Sequence, residues 1–170
     1  VEGTLTGGSV AIGANAAAIG SQSVSIGTLS GQSNQGDSCV AIGNGAGNSL
    51  QQDNAISIGI EAGATNQSQS CVAIGNQSGN GRQGASSIGI GSNSAFDRQG
   101  RTAIAIGVGA GHTLQNDNSI VINATGVNIN GDLGVSRCLI APIRNGGALG
   151  TGVNTLVYDP LTFEIVYSTT

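Results

Sequence analysis

One short unit returns along most of this chain: a small residue, Val or Ile, a second small residue, Ile and Gly, as in residues 39–43 (Cys-Val-Ala-Ile-Gly). A further copy at Ile122-Asn123 replaces the glycine with asparagine, the other residue that tolerates a left-handed backbone. Self-similarity at a fixed period is the signature of a repeat protein. The chain is therefore predicted to stack similar coils instead of folding around one globular core.

Each unit alternates with a period of two, which is typical of a short strand with its large apolar residues on one face. The glycine that follows is predicted to end the strand in a turn. The predicted turn glycines are Gly13, Gly20, Gly27, Gly43, Gly59, Gly75, Gly89 and Gly107. The residues predicted to form the apolar core of the solenoid and of its oligomer are Val10, Ile12, Ile26, Val40, Ile42, Ile56, Ile58, Val72, Ile74, Ile88, Ile104, Ile106, Ile120 and Ile122.

The spacing of the unit indicates the length of one coil. Successive steps, with the variant copy included, are 7, 7, 16, 16, 16, 14, 18 and 16 residues apart, and the irregular pair of 14 and 18 restores the period of sixteen. A second column keeps that period without exception and comprises Gln35, Gln51, Gln67, Gln83, Gln99 and Gln115. Such a column predicts a ladder of amide hydrogen bonds between stacked coils. The alternative is that glutamine is merely frequent in polar turns.

A coil of sixteen residues has room for two short strands and two turns, and only one of the strands is strongly apolar. Burying one Val or Ile side chain stabilises a protein by roughly 1.5–3 kcal/mol, so a whole solvated column is implausible. Self-association around a three-fold axis would cover it. The predicted fold class is an all-β parallel β-solenoid (β-roll) that forms a homotrimer and has a small C-terminal β-hairpin cap.

Composition narrows the alternatives. The chain has 30 glycines, only 2% aromatic residues and neither Trp nor Met, which excludes an ordinary globular core. Disorder is the competing interpretation, but a disordered chain has no reason to keep isoleucines in register. The net charge of −4 without a basic cluster argues against nucleic-acid binding. The absence of a long apolar run argues against membrane insertion.

Reactive residues do not form a recognisable constellation. Cys39 and Cys71 lie two coils apart, about 10 Å, which is beyond disulfide reach, so they are predicted to be small buried thiols. The acidic residues are scattered, and only Asp53 and Asp117 occupy matched places. His112 is predicted to be a surface turn residue. We therefore predict no enzyme activity, no metal site and no cofactor.

The chain divides into a repeat shaft over 1–123 and a C-terminal region over 124–170. Residues 1–30 carry a tighter form, in which both strands of a fourteen-residue coil have the motif. Both prolines and both tyrosines lie beyond 123, and residues 156–158 and 163–167 flank an Asp-Pro turn. The C-terminal region is predicted to contain a β-hairpin that caps the solenoid.

Residues 94–101 form the longest coil segment and contain one of the two phenylalanines. Phe96, Arg98 and Arg101 are the candidate residues for a lateral surface contact. The alternative is a solvated loop in which Asp97 pairs with Arg98.

The Ser-Val-Ala-Ile-Gly units resemble the head repeats of trimeric autotransporter adhesins, which are left-handed parallel β-rolls. The sixteen-residue form resembles repeats in fibre proteins of phages and large DNA viruses. The C-terminal succession of 119–126 (Ser-Ile-Val-Ile-Asn-Ala-Thr-Gly), 141–145 (Ala-Pro-Ile-Arg-Asn), 156–160 (Leu-Val-Tyr-Asp-Pro) and 164–168 (Glu-Ile-Val-Tyr-Ser) is similar to the order in those viral proteins.

That resemblance implies a trimeric fibre or spike on the virion surface that supports attachment to a host-cell glycan or protein receptor. The alternative is the head of a bacterial adhesin at the cell surface. An ice-binding solenoid is less favoured, because the outward positions are mixed Asn, Gly, Glu and Gln instead of a regular Thr or Ala array.

The start and end of the chain carry two expectations. The sequence starts Val1-Glu2-Gly3-Thr4, with neither an initiator Met nor a signal peptide, which is expected of a fragment or a processed product. The resemblance also implies a removable C-terminal chaperone that trimerises the chains and then cuts itself off, which would make Thr170 a maturation end. The alternative is an arbitrary boundary at Thr170.

Overall fold

A computed structural model describes residues 4–5, 7–131, 137–142, 155–159 and 164–168. These residues form an all-β structure without a helix, in which parallel strands stack as a β-solenoid of about eight turns. The predicted fold class is confirmed at that level. The strands are β1 (Thr4–Leu5), β2 (Val10–Ile12), β3 (Ala17–Ala18), β4 (Val24–Ile26), β5 (Val40–Ile42), β6 (Ser49–Gln51), β7 (Ile56–Ile58), β8 (Thr65–Gln67), β9 (Val72–Ile74), β10 (Ile88–Ile90), β11 (Ile104–Ile106), β12 (Ile120–Asn123), β13 (Cys138–Ala141), β14 (Thr155–Asp159) and β15 (Glu164–Ser168).

One nine-stranded parallel sheet runs the length of the solenoid in the order β2-β4-β5-β7-β9-β10-β11-β12-β13. Val10 pairs with Val24, a step of fourteen residues, and Val24 pairs with Val40, a step of sixteen. The step of sixteen continues to Ile120, and Ile120 pairs with Cys138 after eighteen residues. The coil therefore changes length at both ends of a regular central stack.

The C-terminal region is partly described. The parallel sheet extends past residue 123, because β13 pairs with β12. Strands β14 and β15 pair antiparallel, with Val157 opposite Val166. Whether this pair caps the solenoid stays a prediction. Thr170, the predicted maturation end, lies outside the described residues.

The interior of the solenoid is lined by small side chains. In strands β4, β5, β7 and β9–β11 of the large sheet, the central residue points inward and its neighbours point outward, because side chains alternate across a strand. The inward residues Ser25, Ala41, Ser57, Ala73, Ala105 and Val121 are all fully buried. A neighbouring inward column is formed by Ser23, Cys39, Ala55, Cys71, Ser87, Ala103 and Ser119. The Val and Ile side chains that flank the inward residues consequently lie on the outer surface.

The prediction that Gly89 ends a strand is wrong. Gly89 is the central residue of β10 and pairs with Ala73 and Ala105. The turn after β10 is made by Gly91, with a φ of 125°. Ile90 therefore stacks on Ile74, and the apparent spacings of 14 and 18 conceal an unbroken period of sixteen.

The reason for the exchange is the width of the interior, which at this level of a sixteen-residue coil has room for one methyl group. In a typical coil the strand carries Ala73 and the facing corner carries Gly79, where an added Cβ would lie 3.1 Å from the Ala73 Cβ. In the next coil the pair is reversed. Ala95 takes the corner, with a φ of 51°, and a Cβ on Gly89 would lie 3.0 Å from the Ala95 Cβ.

The other predicted turn glycines occupy two corners. Gly13, Gly27, Gly43, Gly59, Gly75 and Gly107 stack at the corner that follows the large sheet, with φ values between 109° and 133°. A Cβ on Gly43 would lie 2.4 Å from the carbonyl oxygen of Gly59. Gly20 lies at a different corner, where a Cβ would lie 1.8 Å from the carbonyl oxygen of Gly36. Close stacking of the backbone therefore excludes a side chain at Gly43 and at Gly20.

Gly89→Ala should destabilise the fold, because two facing methyl groups would overfill the interior at a cost of about 1–3 kcal/mol. The double variant Gly89→Ala with Ala95→Gly should recover most of that loss, since it restores the arrangement of the neighbouring coils. Denaturant unfolding of both variants checks this, with Gly7→Ala as a control at an exposed glycine. A Gly89→Ala protein as stable as the parent, or no recovery in the double variant, would contradict the one-methyl rule.

Candidate functional site

The glutamine column lies inside the solenoid and not in solvated turns. All six glutamines are buried, and Gln51 and Gln67 are fully so. The Nε2 atom of one glutamine donates to the Oε1 atom of the next at 3.2 Å from Gln35 to Gln51, 3.1 Å from Gln67 to Gln83, 3.0 Å from Gln83 to Gln99 and 3.1 Å from Gln99 to Gln115. This ladder joins the coils along the axis.

The ladder has one interruption, which Ser57 bridges. Gln51 Nε2 donates to Ser57 Oγ at 3.3 Å, and Ser57 Oγ donates to Gln67 Oε1 at 2.6 Å. Each amide also reaches across the interior to the large sheet; Gln67 Nε2, for example, donates to the Ile56 carbonyl oxygen at 3.0 Å. In the part of the chain that the structure describes, no buried side-chain nitrogen or oxygen lacks a hydrogen bond. The glutamines are thus fully engaged in holding the coil together.

Gln67→Leu keeps the size of the side chain and removes these bonds. Each buried partner left without a hydrogen bond costs about 1–3 kcal/mol, and Ser57, Gln83 and the Ile56 carbonyl all lose one. We expect a clear fall in the free energy of unfolding, measured by denaturant titration. Gln52→Leu, at an exposed position one residue from the ladder, is the matched control. Equal stability of the two variants would contradict a structural role for the ladder.

The outer surface of the large sheet is a continuous apolar face. We define the Val/Ile face as the outward side chains of strands β2, β4, β5, β7 and β9–β13. All of the predicted core residues lie on it, together with Val24, Ile90 and Ile140, and none of them is buried in the single chain. Ile12 is 52% exposed, Ile106 is 39% exposed and Ile140 is 44% exposed. With nine strands at about 4.8 Å spacing, the face is roughly 38 Å long.

The predicted lateral contact is only partly brought together. Arg98 is exposed and pairs with Asp97 at 3.1 Å, the pairing that the alternative interpretation expects. Phe96 stacks on His112, with ring centroids 5.1 Å apart and planes 8° apart. Arg101 is exposed two residues beyond the glutamine column. Arg82 was missed, although the sixteen-residue period places it directly below Arg98.

An open groove of about 970 Å³ runs along the solenoid beside the glutamine column. Its lining includes Asn66, Arg82 and Arg98, which directly precede glutamines of the column, and Asp53 and Gln69, which follow them by two residues. Phe96 and Arg101 are not among the lining residues. The groove lies away from the Val/Ile face, because the glutamine side chains behind it reach across the interior to that sheet.

The matched aspartates hold adjacent coils together. Asp53 Oδ1 accepts a hydrogen bond from the backbone N–H of Asp37 at 3.0 Å, and Asp117 Oδ1 accepts one from that of Arg101 at 2.8 Å. Among the residues described, no group of three or more His, Cys, Asp or Glu is placed to hold a metal ion. Likewise, the described part of the chain has no helix long and apolar enough to cross a membrane.

All three cysteines are free. Burial raises the pKa of the Cys39 and Cys71 thiols. The Cys39 thiol lies 3.1 Å from the carbonyl oxygen of Gln52, and the Cys71 thiol lies 2.9 Å from that of Gly84. Cys138, by contrast, is exposed and takes the register position of Ile120 on the Val/Ile face.

Cys39 and Cys71 should resist alkylation at neutral pH in the folded protein. Their raised pKa keeps both thiols protonated there, and the thiolate is the reactive form. Mass spectrometry after iodoacetamide treatment should show modification of these two residues only once guanidinium has unfolded the chain. The thiol of an exposed Asn76→Cys variant sets the reference rate. Native-state modification of Cys39 or Cys71 at that rate would contradict their burial.

Comparison with protein-family models, with curated proteins and with solved structures found no match to this chain.

Proposed function

We propose that this chain is the shaft of a homotrimeric fibre or spike on a virion surface, where it mediates or supports attachment to the host cell. The observation that carries the proposal is the Val/Ile face: a solenoid with a filled interior leaves its largest apolar residues outside. Apolar patches of this extent mark interaction surfaces on soluble proteins. Three copies packed on this face would bury it.

The rest of the coil suits a rod. Each coil contacts only its neighbours, so the length of the structure is set by the number of repeats. The inter-coil hydrogen bonds, the glutamine ladder and the aspartates all act along the axis. The polar groups of the described residues thus stiffen the rod along its axis. A spike that presents a contact surface at a distance requires such stiffness.

A virion fibre is favoured by the sixteen-residue coil and by the C-terminal succession that resembles viral fibre proteins. A removable C-terminal chaperone belongs to the same proposal, because near-identical coils specify the register between chains weakly. The head of a bacterial trimeric adhesin is the second candidate. The fourteen-residue step from Val10 to Val24 favours it, since that step matches the shorter adhesin unit.

Sedimentation equilibrium of the 16.5 kDa chain tests the trimer. We expect about three times that mass for the parent protein and a monomer for Ile58→Asp and Ile74→Asp, because each would place an unpaired charge in the shared core. Thr65→Asp introduces the same charge at an exposed position on β8, which belongs to a different sheet, and should stay trimeric. A parent protein that remains monomeric at micromolar concentration would refute the proposal.

Cys138 tests which face is shared. A short bis-maleimide should join two chains through Cys138 and should fail to do so in Cys138→Ser. In a Cys138→Ser background, the thiol of Thr65→Cys, on the exposed surface of β8, should give no cross-link. A trimer that is cross-linked through Thr65→Cys but not through Cys138 would show that another face is the interface.

A further inference from the structure

The arginines of the groove stand in a column where the fold has no need of them. Arg82 and Arg98 are placed one coil apart by the pairing of Gln83 with Gln99, at a distance of about 4.8 Å along the axis. Like charges directly opposite each other on neighbouring strands are destabilising. The equivalent places in other coils are taken by Asn34, Leu50, Asn66 and Leu114. A bound anion would offset the repulsion between the two arginines.

Nearby carboxylates leave much of this charge available. Asp97 pairs with Arg98, and Asp117 is bonded to the backbone N–H of Arg101. Within the described residues, no ion pair is made by Arg82. Asp53 lines the groove two coils from the level of Arg82, about 10 Å away along the axis. The groove therefore has a positive end in a chain whose net charge is −4.

The remainder of the groove is polar and elongated. Its exposed lining residues include the amides Asn34, Gln52, Asn66 and Gln69. Each amide has both donors and acceptors, which suits hydroxyl groups. From the level of Gln35 to that of Gln99 the groove spans four coil steps, roughly 19 Å. These dimensions fit an extended polar chain.

Two other classes of chain fit less well. A peptide could not add as a strand, because the backbone groups at the groove already bond between coils; the N–H of Gln52, for example, donates to the carbonyl of Gln67. A nucleic acid requires a longer positive stripe than two lining arginines provide. Sugar hydroxyls, in contrast, match the amides, and acidic substituents match the arginines.

We propose that this groove binds an acidic glycan, a chain of sugars carrying carboxylate or sulfate groups, with the anionic groups on Arg82 and Arg98 and the hydroxyls on the amides. Arg101 flanks the positive end. The inference deepens the proposed attachment function and rests on it, and it names the chemical class of the receptor. Packing on the Val/Ile face leaves the groove free.

Calorimetric titration of the full chain with two matched pairs of probes tests the proposal. The carboxylate pair is an oligogalacturonate and its methyl ester, and the sulfate pair is a carrageenan oligosaccharide and its desulfated form. At least one charged probe should have an affinity about ten times or more that of its neutral partner. The pair that shows this difference identifies the anionic group. Equal binding within both pairs would overturn the proposal.

The double variant Arg82→Gln with Arg98→Gln should weaken the charged probe about tenfold or more and reduce the salt dependence of binding. Arg137→Gln is the control, since Arg137 is exposed just before β13 and does not line the groove. An equal loss of affinity in the control variant would show that the weaker binding follows from net charge alone, and it would contradict the proposed site. Tighter binding of poly-glutamate or single-stranded DNA than of either glycan would also overturn it.

The proposed trimer and the proposed glycan site can be refuted independently of each other. Sedimentation of the same samples reports the assembly state. A trimer that binds neither charged glycan refutes this inference alone, and a monomer that binds one refutes the proposed fibre alone.

Discussion

Backbone hydrogen bonds between successive coils place every residue directly above its equivalent one turn earlier. The N–H of Val40 donates to the carbonyl of Ala55, and the same bond recurs from Ile56 to Cys71. Since the coils are in register, any side chain that fits in one coil is repeated as a column. The isoleucines, the stacked glycines and the glutamine ladder are all consequences of this one constraint.

The narrow interior then decides which residues face outward. Ala, Ser, Cys and the glutamine amides fill it, and the exchange between Gly89 and Ala95 indicates that a single additional methyl group is too large. Most Val and Ile side chains therefore lie outside, on the apolar face that the proposed trimer would bury. The filled interior and the apolar exterior are two results of the same geometry.

The period, the strands and the glutamine ladder could be predicted from the sequence because they follow from residue spacing. Spacing does not tell which side of a strand is inside. Large apolar residues usually face a protein's own interior, and here Ile42 and Ile58 face away from it because the coil is too thin. The prediction for Gly89 was wrong because this glycine follows an isoleucine, as the turn glycines do. Arg82 was overlooked because its pairing with Arg98 depends on the register and on no local motif.

A crystal structure of the assembled protein would test the central claim most directly, which is that the fold separates a small-residue interior from an apolar face shared between chains. The account predicts that Ile58 and Ile74 contact their equivalents in two neighbouring chains, while Gln67 and Gln83 remain hydrogen-bonded inside each solenoid. Isoleucine side chains packed within their own coil, or left facing solvent in the assembly, would contradict it.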